Sequence, residues 1–282
     1  MIQEKAYAKV NLFLNVLEKR KDGYHNLEML NVKVDLYDVL EFKTIDLAET
    51  VIIKSNDLFL SNQENIVIQV AKYMLKTYKI RTGIEIKIDK KIPFGAGLAG
   101  NSADSAAVIK GINELFSLNL SLETMKEIGL MYGADIPYCL IDSPAFVSGA
   151  GEQIEEVKLD LSKYQLLLVN PCEYISTRDV FALGDKSNYI AKDINIIKEN
   201  IKDNNIDSLI TNLYNSLEEI VVKNYEVMNN FRELIINELG SSGLIMTGSG
   251  SSFIKIITEN DDFSEFIAKY KDKYLVKIHK FL

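Results

Sequence analysis

Pro93-Phe94-Gly95-Ala96-Gly97-Leu98-Ala99-Gly100-Asn101-Ser102-Ala103-Asp104-Ser105-Ala106-Ala107 is the stretch on which the reading of this chain turns. Upstream of it, Ile84, Ile86 and Ile88 alternate with Glu85 and Lys87, the period of a strand with one buried face. Downstream, the apolar spacing predicts a helix over about 102–116. Glycines at 95, 97 and 100 let backbone approach a ligand closely. The helix start beyond them carries unpaired N–H groups and partial positive charge. Strand, glycine loop and helix start together suit a phosphate site, the plain alternative being a flexible strand-to-helix turn.

Two common phosphate loops do not fit. Gly95-Ala96-Gly97-Leu98-Ala99-Gly100 spells GxGxxG, but a dinucleotide-binding first strand is apolar on both faces, and this one alternates. Glu114, about twenty residues on, falls inside the predicted helix rather than ending a second strand. A Walker loop needs Lys-Ser/Thr after its last glycine, where this chain has Asn101.

The 282 residues suit two lobes, and 47% hydrophobic with 26% charged residues is an ordinary globular composition. A net charge of −8 argues against a nucleic-acid partner. Two cysteines, Cys139 and Cys172, and two histidines, His25 and His279, make a disulfide framework, a cysteine metal cluster, a histidine metal site or a serine triad improbable. No basic head with an apolar run opens the chain, and no stretch reaches about 18 apolar residues, so no membrane partner and a cytoplasmic location are expected.

Strands are expected over 8–16, 27–42, 52–54, 84–88, 165–169, 243–247, 252–257 and 273–280. In the first, Lys9, Asn11, Phe13 and Asn15 share the face opposite Ala8, Val10, Leu12, Leu14 and Val16. Helices are expected over 65–79, 102–116, 122–132, 176–183, 191–201, 206–221, 224–238 and 261–271, with a turn between strands in 145–157. The lobe boundary is placed near 160, giving lobes of 1–160 and 161–282. Taken singly, Lys9-Val10-Asn11 reads as a solvated edge, Tyr24-His25 as a hairpin tip, Asp135 as a helix cap and Gly248–Ser252 as a hairpin loop.

Their order changes that reading. Ala8-Lys9-Val10-Asn11-Leu12, Arg20-Lys21-Asp22-Gly23-Tyr24-His25, Asn65-Ile66-Val67, the glycine loop, Gly133-Ala134-Asp135-Ile136-Pro137, Gly149-Ala150-Gly151-Glu152, Ser176-Thr177 and Thr247-Gly248-Ser249-Gly250 together resemble the GHMP kinase superfamily. The resemblance covers essentially the whole chain and is greatest to the branch acting on a cytidylylated methylerythritol. It implies an α+β fold of two lobes, an N-terminal ATP-binding lobe and a C-terminal ferredoxin-like substrate lobe, with a cleft between them.

The implied reaction moves the ATP γ-phosphoryl group to the 2-hydroxyl of 4-(cytidine 5′-diphospho)-2-C-methyl-D-erythritol, in non-mevalonate isoprenoid precursor synthesis. By the same resemblance Asp135 takes the hydroxyl proton and Lys9 holds the nucleophilic oxygen. ATP would lie against Asn65, Pro93, Gly95, Ala96, Gly97, Leu98, Ala99, Gly100, Asn101 and Ser102. His25, Tyr24 and Phe181 would surround the cytosine, with Asn11 and Thr177 lining the substrate pocket. Mg²⁺ is implied with ATP, held by phosphate oxygens and water rather than by a protein metal site.

The family loop reads close to GAGLGGGSSDAA. Ala99 and Asn101 stand where it has glycines, and Ala103 where it has its second serine. If position 99 requires positive φ, alanine costs roughly 1 kcal/mol there. Weakened ATP binding is therefore expected. Two alternatives stay open at this stage: a nucleotide-binding regulator without catalysis, and a kinase for another alcohol.

Overall fold

The computed structural model describes residues 2–56 and 65–282. In chain order its elements are β1 (Ile2–Lys19), β2 (His25–Ile45), β3 (Val51–Ser55), α1 (Ile66–Thr77), β4 (Gly83–Asp89), α2 (Gly100–Leu115), α3 (Leu122–Leu130), α4 (Ile136–Cys139), β5 (Ala145–Gly149), β6 (Gln153–Glu156) and β7 (Tyr164–Asn170). There follow α5 (Thr177–Ser187), α6 (Asn195–Lys202), α7 (Ile206–Thr211), β8 (Tyr214–Asn215), α8 (Ser216–Asn224), α9 (Glu226–Leu239), β9 (Leu244–Met246), β10 (Phe253–Thr258), α10 (Ser264–Tyr270) and β11 (Leu275–Lys280).

Two compact units result. The first comprises residues 1–8, 36–94 and 99–142; the second comprises 9–35, 95–98 and 143–282. The sequence pattern suggested one cut near 160, whereas the observed division interleaves, because the long strands β1 and β2 contribute to both units.

In the first unit β3 runs parallel to β4, and β4 pairs antiparallel with β2 from Val39 to Ile45. Ile84, Ile86 and Ile88 are buried, while Glu85 turns outward to Lys43 and Lys54. Helix α1 packs on α2 and buries Val67, Val70, Ala71, Met74 and Leu75 at the spacing of one helical face. Helices α3 and α4 also pack on α2.

In the second unit β2 pairs with β5 over Leu27–Asn31, and β5 with β6 through the turn holding Gly149 and Gly151. A separate antiparallel sheet runs β11-β7-β10-β9, with Leu166–Val169 of β7 buried at its centre. The helix expected over 206–221 is two helices with β8 between them. Asn215 breaks it: its Oδ1 caps α8 by accepting from Leu217 N, and its Nδ2 donates to the carbonyls of Met246 and Gly248. Tyr214 and Asn215 then pair with Phe13 and Leu14 of β1.

That pairing contributes to a second difference. From Ala8 to Val16 both faces of β1 are buried, so Lys9, Asn11 and Asn15 do not form a solvated edge. Among the described residues, no helix is long and apolar enough to cross a membrane.

Candidate active site

The glycine segment is held from both directions along the chain. Residues Gly95–Leu98 belong to the second unit, where Lys9 N donates to Leu98 O, Ser252 N to Ala96 O and Thr247 Oγ1 to Gly97 O. Gly97 has φ +73°, and a Cβ there would lie 2.1 Å from the Thr247 carbonyl oxygen, so only glycine fits. In the first unit α2 starts at Gly100, two residues earlier than the periodicity predicts, because Ala99 occupies the N-cap in a left-handed conformation (φ 56°, ψ 31°). Position 99 therefore has the positive φ that penalises alanine. Ala99 supplies no side-chain cap, which leaves the first amides of α2 without an intrahelical acceptor.

Ala103 stands where the family loop has a serine hydroxyl. At 2% exposure it faces the interior of the first unit, not its surface. Asn101 and Ser102 are the partly exposed side chains at the helix start.

Beneath that start lies a buried ionic cluster. Lys90 Nζ is 2.5 Å from Asp38 Oδ2 and 2.7 Å from Asp104 Oδ2, and a Cβ on Gly100 would come within 3.4 Å of it. Asp38 Oδ1 also accepts from the amides of Lys91 and Ile92, at 2.5 and 2.9 Å. Asp104 accepts from Lys90 alone, and its Oδ1 has no partner. Burial, with Asp38 adding to it against the pull of Lys90, pushes the Asp104 carboxyl up to about 7. Burial opposes the Lys90 charge too, but the carboxylates outweigh it and hold the ammonium above the ordinary lysine range. One cation serves two carboxylates.

In the second unit Lys9, 4% exposed, donates from Nζ to Asn11 Oδ1 at 3.0 Å. Asn11 is fully buried, and its side-chain polar atoms are hydrogen-bonded within the unit. Its Oδ1 also accepts from Gly248 N, its Nδ2 donates to Asn31 Oδ1 at 2.6 Å, and its N–H donates to Thr247 Oγ1. Asn11 thus ties Lys9 to the 247–252 turn. Ser249 of that turn meets Thr177 Oγ1 at 2.7 Å, at the start of α5.

The Arg20–His25 hairpin is also fixed from within. Arg20 bridges Asp22 and Glu152, Tyr24 N donates to Asp22 Oδ1, and Arg20 N to Tyr24 O. Hence the basic turn and Gly149–Glu152, joined by residues 132 positions apart, form one structure. It leaves Tyr24 61% exposed and His25 7% exposed. The His25 ring stacks on Phe181 (centroids 5.1 Å apart, 28°) and meets Tyr189 edge-on at 5.5 Å. Its Nε2 is 2.6 Å from Asp185 Oδ1.

In the first unit Asp135 occupies the N-cap of the short α4, yet its side chain makes no capping bond, so the helix-cap reading fails. Gly133, two residues before it, lies against Ile136, with Ser102 Oγ 4.0 Å from where its Cβ would be. Asn65 caps α1, accepting from Val67 N at 2.8 Å.

The structure thus groups Lys9 and Asn11 with Gly97 and Leu98, His25 with Phe181, and Ser102 with Gly133. Sequence reasoning missed Lys90, Asp38, Asp104, Asn31, Asp185 and Tyr189. Asp104 alone gave a signal, as a carboxylate among the small residues of the first turns of α2.

A family profile described as GHMP kinases N terminal domain matches residues 65–150, the segment holding the loop and Asp135. The fold and loop define a small-molecule kinase of that type. The chain is 36% identical to a 4-diphosphocytidyl-2-C-methyl-D-erythritol kinase of Clostridium botulinum (strain Eklund 17B / Type B), over 96% of each sequence. It is 35% identical to the protein of that name from Thermoanaerobacter pseudethanolicus (strain ATCC 33223 / 39E), over 100% of this chain and 94% of the relative. A crystal structure of a 4-(cytidine 5′-diphospho)-2C-methyl-D-erythritol kinase superposes with a TM-score of 0.79 at 25% identity, covering 99% of each chain. The chain belongs to the 4-diphosphocytidyl-2-C-methyl-D-erythritol kinase family. A mevalonate kinase shares the fold at a TM-score of 0.68 and 17% identity, covering 100% of this chain and 99% of its own.

Proposed function

We propose that this kinase transfers the γ-phosphoryl group of ATP to the 2-hydroxyl of 4-(cytidine 5′-diphospho)-2-C-methyl-D-erythritol. The observation that carries the ATP half is a glycine loop running into an uncapped helix start, which offers backbone N–H groups to phosphate oxygens. Gly95 to Ser102 would cradle the phosphates, with Pro93 leading in and Asn65 toward the adenine. Asn101 and Ser102 would add side-chain donors.

Phosphoryl transfer asks chiefly for position and charge stabilisation. Asp135 would accept the proton as the hydroxyl oxygen bonds to phosphorus and the bond to the ADP oxygen breaks. Lys9, fixed by Asn11, would steady the negative charge on the attacking oxygen. Tyr24, His25, Phe181 and Thr177 would hold the cytidine diphosphate end.

When bound with ATP, Mg²⁺ would offset charge on the β- and γ-phosphates. Among the described residues no group of three or more His, Cys, Asp or Glu side chains is arranged to hold a metal. The ion would then be carried by phosphate oxygens and water.

The test is ADP release from ATP with the cytidyl-methylerythritol substrate, for the wild type and Asp135→Asn. Loss of the base should lower kcat by about 100- to 10,000-fold with KM for ATP little changed. Nucleotide binding without turnover, or turnover only with an uncytidylated alcohol, would refute the assignment.

A further inference from the structure

Helix α5 places Asp185 four residues, one helical turn, beyond Phe181, and its carboxylate meets the inner edge of the His25 ring. The other oxygen, Oδ2, pairs with Lys19 at 2.5 Å. Lys19, and with it His25, holds this carboxyl below the usual aspartate range, so it is ionised at neutral pH. An ionised carboxylate only accepts hydrogen bonds, so the proton of this contact belongs to His25 Nε2. In the neutral imidazole the other nitrogen, Nδ1, is then an acceptor. Among the described residues nothing hydrogen-bonds to Nδ1.

The ring cannot readily turn over. Phe181 covers a face and Tyr189 an edge, and the Tyr189 hydroxyl is tied to Phe181 O at 2.7 Å. Gly184 makes room for this arrangement, since a Cβ there would fall 2.1 Å from the Tyr189 ring. A nearly buried histidine is thus locked in one orientation and one tautomer, with an acceptor nitrogen left over.

We propose that Asp185 is a specificity-determining positioning residue: by accepting from His25 Nε2–H it fixes Nδ1 as an acceptor for an exocyclic amino group on the substrate base. Cytosine carries such a donor where uracil carries a carbonyl oxygen, which would face the Nδ1 lone pair. The inference deepens the cytidine assignment above and rests on it. Asp185 acts through His25, not on the reacting atoms. An Asn at 185 can donate to Nε2 and so favours the opposite tautomer.

The test compares kcat/KM for the cytidine and uridine diphosphate forms of the substrate in wild type, Asp185→Asn and Lys19→Met. Urea midpoints confirm that the variants fold. We expect wild type to prefer cytidine by about 100-fold or more, and Asp185→Asn to cut that ratio at least about tenfold, through KM for the base-bearing substrate. KM for ATP should stay unchanged. Lys19→Met removes the ion pair but leaves the His25–Asp185 bond, and should keep the ratio within about threefold.

With only two histidines in the chain, ¹⁵N spectra of the imidazoles, assigned with His279→Gln, read the tautomer directly. Wild type should show Nε2–H at His25 and Asp185→Asn should shift toward Nδ1–H. Equal losses on both substrates, or an unaltered tautomer in Asp185→Asn, would overturn the proposal while leaving the kinase assignment standing. A wild type that phosphorylates neither substrate would overturn both.

Discussion

Asp104→Asn should change how stability depends on pH. In the unfolded chain an aspartate ionises near 3.8, whereas in the folded protein burial keeps the Asp104 proton on up to about 7. Between those values the native state binds the proton and the unfolded state does not, so the favourable contribution is complete below about pH 4 and is lost as pH rises through about 7. For one group with these two pKa values the loss between pH 5 and pH 7 is about 2 kcal/mol. Asparagine mimics the protonated acid, with an amide oxygen for Lys90 Nζ and no charge to release. Groups outside the Lys90–Asp38–Asp104 cluster titrate alike in both proteins and cancel in the difference.

The assay is urea unfolding of wild type and Asp104→Asn at pH 5, 6, 7 and 8. The variant should be equal to or weaker than wild type at pH 5, and should gain about 2 kcal/mol on it by pH 7. Parallel stability curves would refute the reasoning, since they would mean that Asp104 is ionised in the native protein throughout. A variant that loses ground as pH rises would place the proton elsewhere in the cluster.

Two further outcomes follow from the loop backbone. Ala99→Gly relieves a left-handed alanine at the helix start and should stabilise the protein by about 1 kcal/mol in urea; a loss would mean that the Ala99 side chain contributes more than its backbone costs. Gly97→Ala should instead destabilise by more than about 2 kcal/mol and weaken ATP binding in calorimetry, because its Cβ would meet the Thr247 carbonyl backbone rather than a movable side chain; wild-type melting and ATP affinity would contradict that packing.

The parts legible in the sequence were those written in local periods or backbone needs. Ile84, Ile86 and Ile88 announced β4, and the glycines announced a loop ending at a helix. Ser121, Ser176 and Asn65 sit where α3, α5 and α1 begin and cap them as such residues do. What stayed hidden depends on partners far apart in the chain. Asn11 on an alternating strand looks like a solvent residue, and only Thr247 and Gly248, 236 and 237 positions away, make its burial affordable. Tyr214 and Asn215 carry an ordinary helical pattern on both sides, so their pairing with β1 is invisible until β1 is in place.

The same physics separates the two halves of the candidate site. Phosphate recognition draws on backbone amides and glycine conformations, so it leaves a spelling in the sequence. In the proposed cytidine site, recognition of the base would draw on which nitrogen of one imidazole holds a proton, and a carboxylate 160 residues from His25 on an unexceptional helix would decide that. His25 could therefore be named from the sequence, whereas its tautomer, the property that would distinguish one base from another, is fixed only once α5 brings Asp185 to Nε2.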